Sequence, residues 1–189
     1  MKFILASASA RRQELLKRIV KDFRIIVSDF DENNVKFKGD INKYVEEIAL
    51  GKAKAILKNA TDDDIIISAD TVVSFNGNIL GKPKDEEDAF KMLKMLSKNT
   101  HEVYSGVCII NNKTKEILCE SFKTEVTFSE ISDDQINEYI ESGSPLDKAG
   151  AYGIQDNGGV FVEEIKGCYY NVVGLPLNST YKMIKRIMK

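Results

Sequence analysis

Charged side chains stand at five positions of this sequence where local structure does not require them. Arg11 and Arg12 follow a turn of small residues, Lys52 falls on the apolar face of a predicted helix, Asp70 lies inside an apolar segment and Lys82 precedes a proline. An isolated charge is costly to bury, so the buried members need a partner or a ligand. Four cations opposed to one acid would suit phosphate chemistry, in which cations stabilise charge on phosphoryl oxygens and a carboxylate positions water.

The two arginines lie at the start of a predicted helix. Phe3 to Ala6 is an apolar run that predicts a short buried strand, and Ser9 occupies the position of an N-cap for the helix that follows. A helix N-terminus carries partial positive charge, so Arg11 and Arg12 there favour a bound anion, with phosphate as the natural candidate. The alternative is an ordinary serine cap beside solvated arginines, and this stretch alone leaves both open.

Lys52 lies on a helix that we predict from Ile41 to about Asn59, capped by Asp40. The helical period places this lysine where an apolar residue is expected. Its ammonium group either reaches the surface along its aliphatic stem or faces a cleft that holds an anion.

Asp70 lies within Asp64 to Phe75, a segment that is rich in β-branched residues and apolar on both faces. This pattern predicts a central strand covered on both sides. A carboxylate there must be paired, hydrogen-bonded or bound to a metal, and a purely structural aspartate is the alternative.

A polar loop with three carboxylates follows the second predicted strand. Asp29, Asp31 and Glu32 are most simply explained as solvated loop residues, which is the interpretation that the local sequence favours. They could also reach a metal if the loop closed over a phosphate site.

The elements that must position these residues alternate along the chain. We predict strands at residues 24–28, 102–111, 116–128 and 160–165, and a type I′ turn at Asn76-Gly77. Helices are predicted at residues 85–96, from the N-cap Ser132 through Glu141, and from Pro176, at position N1, to about Met188. A glycine-rich connection at residues 146–155 permits close backbone approach or simple turns.

Composition bounds the class of protein. The chain has 189 residues, 43% of them hydrophobic, and a net charge of −2, with a pI of about 5.6. These values suit one domain, or two lobes that share one sheet, and argue against a nucleic-acid or membrane-surface binder. Three scattered cysteines predict reduced thiols, and the single histidine, His101, is interpreted as structural. We expect no signal peptide and no membrane span.

Five motifs together resemble the Maf family of nucleoside triphosphate pyrophosphatases, in the family's order and over nearly the whole chain. They are Ser7 to Leu16, Ser68 to Val73, Gly81 to Pro83, Gly150 to Gln155 and Val173 to Pro176. The resemblance implies an α/β fold like that of the inosine triphosphatase group, with a long mixed twisted sheet, flanking helices and two lobes around a central cleft. It also implies hydrolysis of a nucleoside triphosphate to the monophosphate and pyrophosphate.

The resemblance further implies roles for individual residues. Asp70 matches the catalytic proton acceptor. The positions tied to substrate choice are Arg12, Thr71 and Gln155. The polar and cationic lining of the phosphate site matches Ser7, Ser9, Arg11, Lys52 and Lys82. A divalent cation, Mg²⁺ or Mn²⁺, is implied, with Asp70 and Glu32 as its candidate ligands.

Thr71 and Gln155 also resemble the branch of the family that acts on dTTP and UTP. Ala10 departs from the proline that many members carry, which loosens the turn without removing the chemistry. Two alternatives stay open: a non-catalytic nucleotide-binding regulator of cell division or septum formation, and a pyrophosphatase for a modified nucleotide such as 7-methyl-GTP. The expected context is cytoplasmic, with a small-molecule nucleotide, no nucleic acid, no membrane and a possible homodimer.

Overall fold

The computed structural model describes residues 2–189, in which strands and helices alternate. The strands are β1 (Lys2–Leu5), β2 (Phe23–Ile25), β3 (Asp64–Phe75), β4 (Asn78–Leu80), β5 (Thr100–Asn111), β6 (Ile117–Phe128) and β7 (Val162–Lys166). The helices are α1 (Ala10–Lys17), α2 (Ile41–Ala55), α3 (Glu86–Leu96), α4 (Asp133–Glu141), α5 (Tyr169–Val173) and α6 (Leu177–Ile187). No helix within residues 2–189 is long and apolar enough to cross a membrane.

The strands hydrogen-bond in the order β2-β1-β3-β5-β6-β7, and β4 pairs with β3. β1 is parallel to β2 and to β3, whereas the β3–β4 and β6–β7 pairs are antiparallel. The predicted class, a mixed sheet with flanking helices, is therefore confirmed. The chain divides into unit 1 (Met1–Asp70, Ser105–Phe122 and Gly174–Lys189) and unit 2 (Thr71–Tyr104 and Lys123–Val173). One domain of two lobes stays a prediction.

Unit 1 is built on two parallel crossovers, in which α1 follows β1 and α2 precedes β3. The register pairs Leu5 with both Ile25 and Ile67. Helix α2 covers this part of the sheet, and its Ala49 and Ala53 pack with Ile4 and Ile66 in one buried cluster. The polar Ser68 shares this interface because its hydroxyl donates to the Ala49 carbonyl at 2.6 Å.

Gly106 lets α2 approach β5 closely. A Cβ at this position would lie 2.3 Å from the Val45 carbonyl oxygen, which belongs to the helix backbone and cannot move aside easily. The absence of a side chain here therefore sets the distance between α2 and β5.

Unit 2 has its own core, in which α3 and α4 supply buried side chains. Ser132 caps α4 in a capping box with Gln135, and Asp85 caps α3, so both predicted helix starts are confirmed. His101 is buried, with its Nε2 2.8 Å from the Tyr152 hydroxyl, and burial lowers the pKa of His101 to about 4. The structural interpretation of this histidine is consistent with these contacts.

Several element boundaries differ from the predictions. β2 ends at Ile25 rather than residue 28, because its parallel partner β1 ends at Leu5. α2 ends at Ala55 and continues as a 3₁₀ turn, Leu57–Asn59. Pro176 is the extended N-cap of α6 rather than its first helical residue, and α5 was not predicted.

The prediction of three reduced thiols is wrong for two of the cysteines. Cys108 and Cys119 form a disulfide between β5 and β6, with Cα atoms 4.2 Å apart, and Cys168 is free. The hairpin register explains the pairing: Asn111 donates to the Glu116 carbonyl, and three residues outward on each side place the two cysteines opposite each other.

Candidate functional site

The candidate site of unit 1 lies where β1 ends and β3 continues. The Ala6 N–H donates to the Ile67 carbonyl at 2.8 Å, after which the chain leaves the sheet toward α1. Asp70 lies three residues beyond Ile67 on β3, and so extends past the carboxyl end of β1. Carboxyl ends of parallel strands, next to a helix N-terminus, are the usual place for ligand sites in α/β sheets.

The turn between β1 and α1 is organised by its two serines. Ser7 Oγ accepts from the Ser9 N–H at 3.2 Å, and Ser9 Oγ accepts from the Arg12 N–H at 3.4 Å. Ser9 is thus the N-cap of α1, as predicted. Since each hydroxyl still carries its own proton, each can donate to an anion while it accepts from the backbone.

Arg12 is anchored to the carboxyl-terminal part of unit 1. Its Nε donates to the Gly174 carbonyl at 3.0 Å, within the Val173 to Pro176 motif. Burial lowers the pKa of Arg12, while the negative charges of Asp70 and Glu32 act in the opposite direction. The guanidinium group therefore lies in the field of both carboxylates.

Lys52 is held between two carboxylates. Its Nζ lies 2.7 Å from Asp70 Oδ1 and 2.7 Å from Glu32 Oε1, and its side chain is only 13% exposed. The alternative in which Lys52 reaches the surface is therefore wrong, because the two acids compensate its charge in place. Glu32, interpreted as a solvated loop acid, is half exposed, but it is also paired with Lys52.

The two acids reach Lys52 from different segments of the chain. One oxygen of each carboxylate is paired with the Lys52 ammonium group. Asp70 is nearly buried and Glu32 half exposed, with side chains 8% and 54% accessible. The Lys52 ammonium group therefore lies where carboxylate oxygens from the loop that contains Glu32 and from β3 converge.

Tyr44 is a member of this cluster that sequence reasoning missed. Burial raises the pKa of its hydroxyl, and the charges of Asp70 and Glu32 raise it further, so the phenol lies near both acids. Tyr44 precedes Lys52 by eight residues, which places the two on one face of α2. That spacing is a signal that the sequence itself contains.

Three predicted site residues belong to unit 2. Thr71 is half-buried on β3, while Lys82 and Gln155 are exposed. Gly150 has φ of +69°, and a Cβ there would crowd the Val73 side chain at 2.9 Å, so the glycine-rich connection is a close backbone approach.

The structure brings together Arg12, Glu32, Lys52 and Asp70, and it places Ser7, Ser9 and Arg11 at the adjoining start of α1. The chemical roles implied for these residues stay predictions. So do the roles of Thr71, Lys82 and Gln155.

The family model and the sequence relatives agree on the family to which this chain is similar. The family model "Maf-like protein" matches residues 2–187. A protein of Clostridium beijerinckii named dTTP/UTP pyrophosphatase is 63% identical over 187 residues, covering 99% of this chain and 100% of the relative. A protein of the same name from Clostridium perfringens is 57% identical over 185 residues, covering 98% and 96%.

A solved structure is also similar. It is a nucleoside-triphosphatase / dITP/XTP pyrophosphatase from Mycobacterium abscessus, with 14% identity and a TM-score of 0.41, covering 69% of this chain and 76% of that one. Such a low similarity adds nothing to the assignment.

Proposed function

The chain belongs to the Maf-like protein family, and from that membership we propose that it hydrolyses dTTP and UTP to the nucleoside monophosphate and pyrophosphate. The observation that carries the proposal is the Lys52–Asp70 pair, which lies at the carboxyl end of parallel strands with Arg12 nearby. The relatives suggest the nucleotide, and the pair offers the carboxylate and cations that phosphoryl chemistry needs.

In the proposed reaction, water attacks the α-phosphorus while the bond from phosphorus to the bridging oxygen of pyrophosphate breaks. Asp70 orients this water and accepts one of its protons at Oδ2, because Oδ1 is bonded to Lys52. The proton later passes to solvent, and pyrophosphate leaves with the electron pair of the broken bond. Lys52 holds the carboxylate in one orientation throughout.

The cations stabilise charge as it spreads over the phosphoryl oxygens. We assign this role to Arg11, Arg12 and Lys82, together with the first N–H groups of α1 and the hydroxyls of Ser7 and Ser9. Fixed donors of this kind need no reorganisation as the reaction proceeds.

Asp70 and Glu32 are the residues that we propose hold Mg²⁺ or Mn²⁺. The residues fit this group, since a carboxylate oxygen from each already lies 2.7 Å from one cationic atom, Lys52 Nζ. Mg²⁺ is often bound by one or two carboxylates, with waters and substrate phosphates completing its shell. Such an ion supplies further charge stabilisation at the phosphate oxygens when bound.

We propose that Gln155 and nearby backbone groups recognise the base edge of uracil or thymine, with Arg12 and Thr71 contributing to substrate choice. The exposed position of Gln155 is compatible with this role. A site built for such hydrogen bonds rejects bases that leave its groups unpaired. A Gln155→Glu variant is expected to lose its preference for dTTP and UTP over purine nucleotides, and an unchanged preference would contradict the assignment.

A substrate panel tests the proposal. Purified protein with Mg²⁺ or Mn²⁺ is incubated with dTTP, UTP, CTP, 5-methyl-UTP, pseudo-UTP and 7-methyl-GTP, and monophosphate and pyrophosphate are quantified. We expect dTTP and UTP to give both products in equal amounts. Turnover of 7-methyl-GTP alone would reassign the branch, and binding of nucleotides without product would indicate a regulator.

We further propose a cytoplasmic location, where nucleoside triphosphates are abundant, and a homodimeric state by analogy with the family. Cell fractionation tests the first, and size-exclusion chromatography with light scattering tests the second.

A further inference from the structure

The Glu32 loop, residues 26–40, joins β2 to α2. Its internal bonds are local: Asp31 Oδ1 accepts from the backbone N–H and the side-chain amide of Asn33, and the Val35 N–H donates to the Glu32 carbonyl at 3.1 Å. Bonds of this kind shape the turn, but they do not fix where the loop lies on α2.

The ion pair between Glu32 and Lys52 is also a weak anchor for the loop. The Glu32 side chain is 54% exposed, and pairs with one exposed partner contribute little because water screens the charges and the flexible side chain loses entropy. Another contact must therefore place Glu32 beside Lys52.

Phe30 supplies such a contact, two residues before Glu32. Its ring tip lies against Gly51, so that a Cβ on this glycine would be 2.3 Å from Phe30 Cζ and 2.5 Å from Cε2. Gly51 is the only glycine of α2 and immediately precedes Lys52. Glycine disfavours a helix interior, but here it leaves the space that the ring occupies.

The other side of the loop is held by a second aromatic contact. Phe37 and Tyr44 pack edge to face, with ring centroids 5.7 Å apart. Tyr44 is the residue whose phenol lies near Asp70 and Glu32. The loop is thus attached to α2 on both sides of Glu32, at positions one residue and eight residues before Lys52.

We propose that Phe30, seated against Gly51, is a positioning residue that places Glu32 beside Lys52 and Asp70. The inference rests on the proposed function, because it concerns the carboxylate pair of that same site. A displacement of about 1 Å in an active site can reduce the rate about 100-fold. A contact that sets the loop can therefore control turnover without touching the substrate.

The first test is Gly51→Ala. The added methyl group displaces the ring of Phe30 and, with it, Glu32. We expect kcat for dTTP to fall about tenfold or more, with a smaller change in KM. Because alanine favours the helix more than glycine does, loss of α2 does not explain such a result, and an unchanged melting temperature would verify this. Lys54→Ala, an exposed change on the same helix, is the matched control and keeps wild-type kcat.

The second test is steric rescue. Phe30→Leu removes the ring tip that the new methyl group would strike, so Gly51→Ala combined with Phe30→Leu is expected to recover at least about threefold in kcat over Gly51→Ala alone. Phe30→Ala, which leaves α2 unaltered, is expected to lower kcat as well. A double variant no better than Gly51→Ala, or a fully active Phe30→Ala, would overturn the proposal.

Hydrogen exchange on the free enzyme separates this inference from the proposed function. The amides of Asn34 and Val35, which bond within the turn, are expected to exchange faster in Gly51→Ala and to recover in the double variant. If wild-type protein released no pyrophosphate but exchange followed this pattern, the proposed function would fail and the positioning contact would stand. If hydrogen exchange and turnover were both unaltered in Gly51→Ala, the positioning role of Phe30 would be refuted and the proposed function would stand.

Discussion

Two lysines with little-exposed side chains each meet two carboxylates in this protein, yet their surroundings differ. Lys52 is bonded to Asp70 and Glu32, which lie 18 and 20 residues away in the sequence. Lys148, whose side chain is 10% exposed, meets Asp147 and Asp156. The exposed fractions of the two lysine side chains are nearly equal, so burial does not distinguish the roles of Lys52 and Lys148.

The Lys148 group is saturated by its own neighbourhood. Its Nζ also donates to the backbone carbonyl and hydroxyl of Ser144. Asp156 in turn accepts from the Tyr139 hydroxyl, the Ser144 hydroxyl and the Gly158 N–H. Burial opposes ionisation of Asp156, but these donors and Lys148 outweigh it and lower the pKa of the carboxyl group.

The Lys52 group instead joins segments that are distant in the sequence. Asp70 and Glu32 each place one oxygen 2.7 Å from Lys52 Nζ, and both acids also act on Arg12. The comparison indicates that the convergence of distant charged groups at the carboxyl end of a parallel strand, rather than a little-exposed charge, marks the site. We therefore expect changes near Lys52 to affect turnover and changes near Lys148 to affect stability.

Asp70→Asn should give the largest effect. Loss of the proton acceptor is expected to reduce kcat/KM by about 10³-fold, with the melting temperature little changed, because the amide still accepts from Lys52. Asp156→Asn is the matched control in the saturated group and should retain activity within about tenfold. Steady-state kinetics and thermal melts measure both, and substantial turnover by Asp70→Asn would remove the basis of the comparison.

A second prediction concerns pH and the core of unit 2. The folded pKa of His101 is about 4, against 6.5 in the unfolded chain, so the unfolded state binds more protons between these values. This contribution to stability is complete above pH 6.5 and falls as the pH decreases to 4, by at most about 3.4 kcal/mol for a pKa difference of 2.5 at 1.36 kcal/mol per pKa unit. Urea titrations from pH 7 to 4 should show this loss, and His101→Gln should flatten it. If stability fell with pH equally steeply in the wild type and in His101→Gln, a group other than His101 would be the one that titrates.

Lys52→Met should reduce kcat by about 10²-fold, because Asp70 loses the donor that orients it and the two carboxylates lose the ammonium group between them. The measurement is kcat with dTTP beside Lys54→Met on the exposed face of α2. A similar loss in both variants would point to the helix rather than to the charge.

Lys148→Met should act mainly on stability. We expect a loss of about 2 kcal/mol, below the full cost of breaking a buried pair, because Asp147 and Asp156 are partly exposed and can be solvated. Denaturant unfolding measures this change, and kcat should stay within about tenfold of wild type. A large loss of turnover at full stability would show that the two lysines do not differ as described.

The local features of this protein could be predicted from its sequence. The N-caps Ser9, Asp40 and Ser132 were correct because a cap bonds N–H groups two or three residues away. The β5–β6 hairpin and the apolar face of α2 likewise follow from short-range patterns. The same register placed Cys108 opposite Cys119, although composition alone suggested scattered thiols.

Which charged side chains contact each other could not be predicted, because those contacts join distant segments. The sequence was equally compatible with a surface position for Lys52. Only the packing of α2 on β3 places this lysine beside Asp70. Arg12 reaches the Gly174 carbonyl across 162 residues of sequence, and Phe30 reaches Gly51 through a loop without a regular pattern. Such contacts depend on how distant segments pack, and packing is set by the whole core rather than by residues adjacent in the chain.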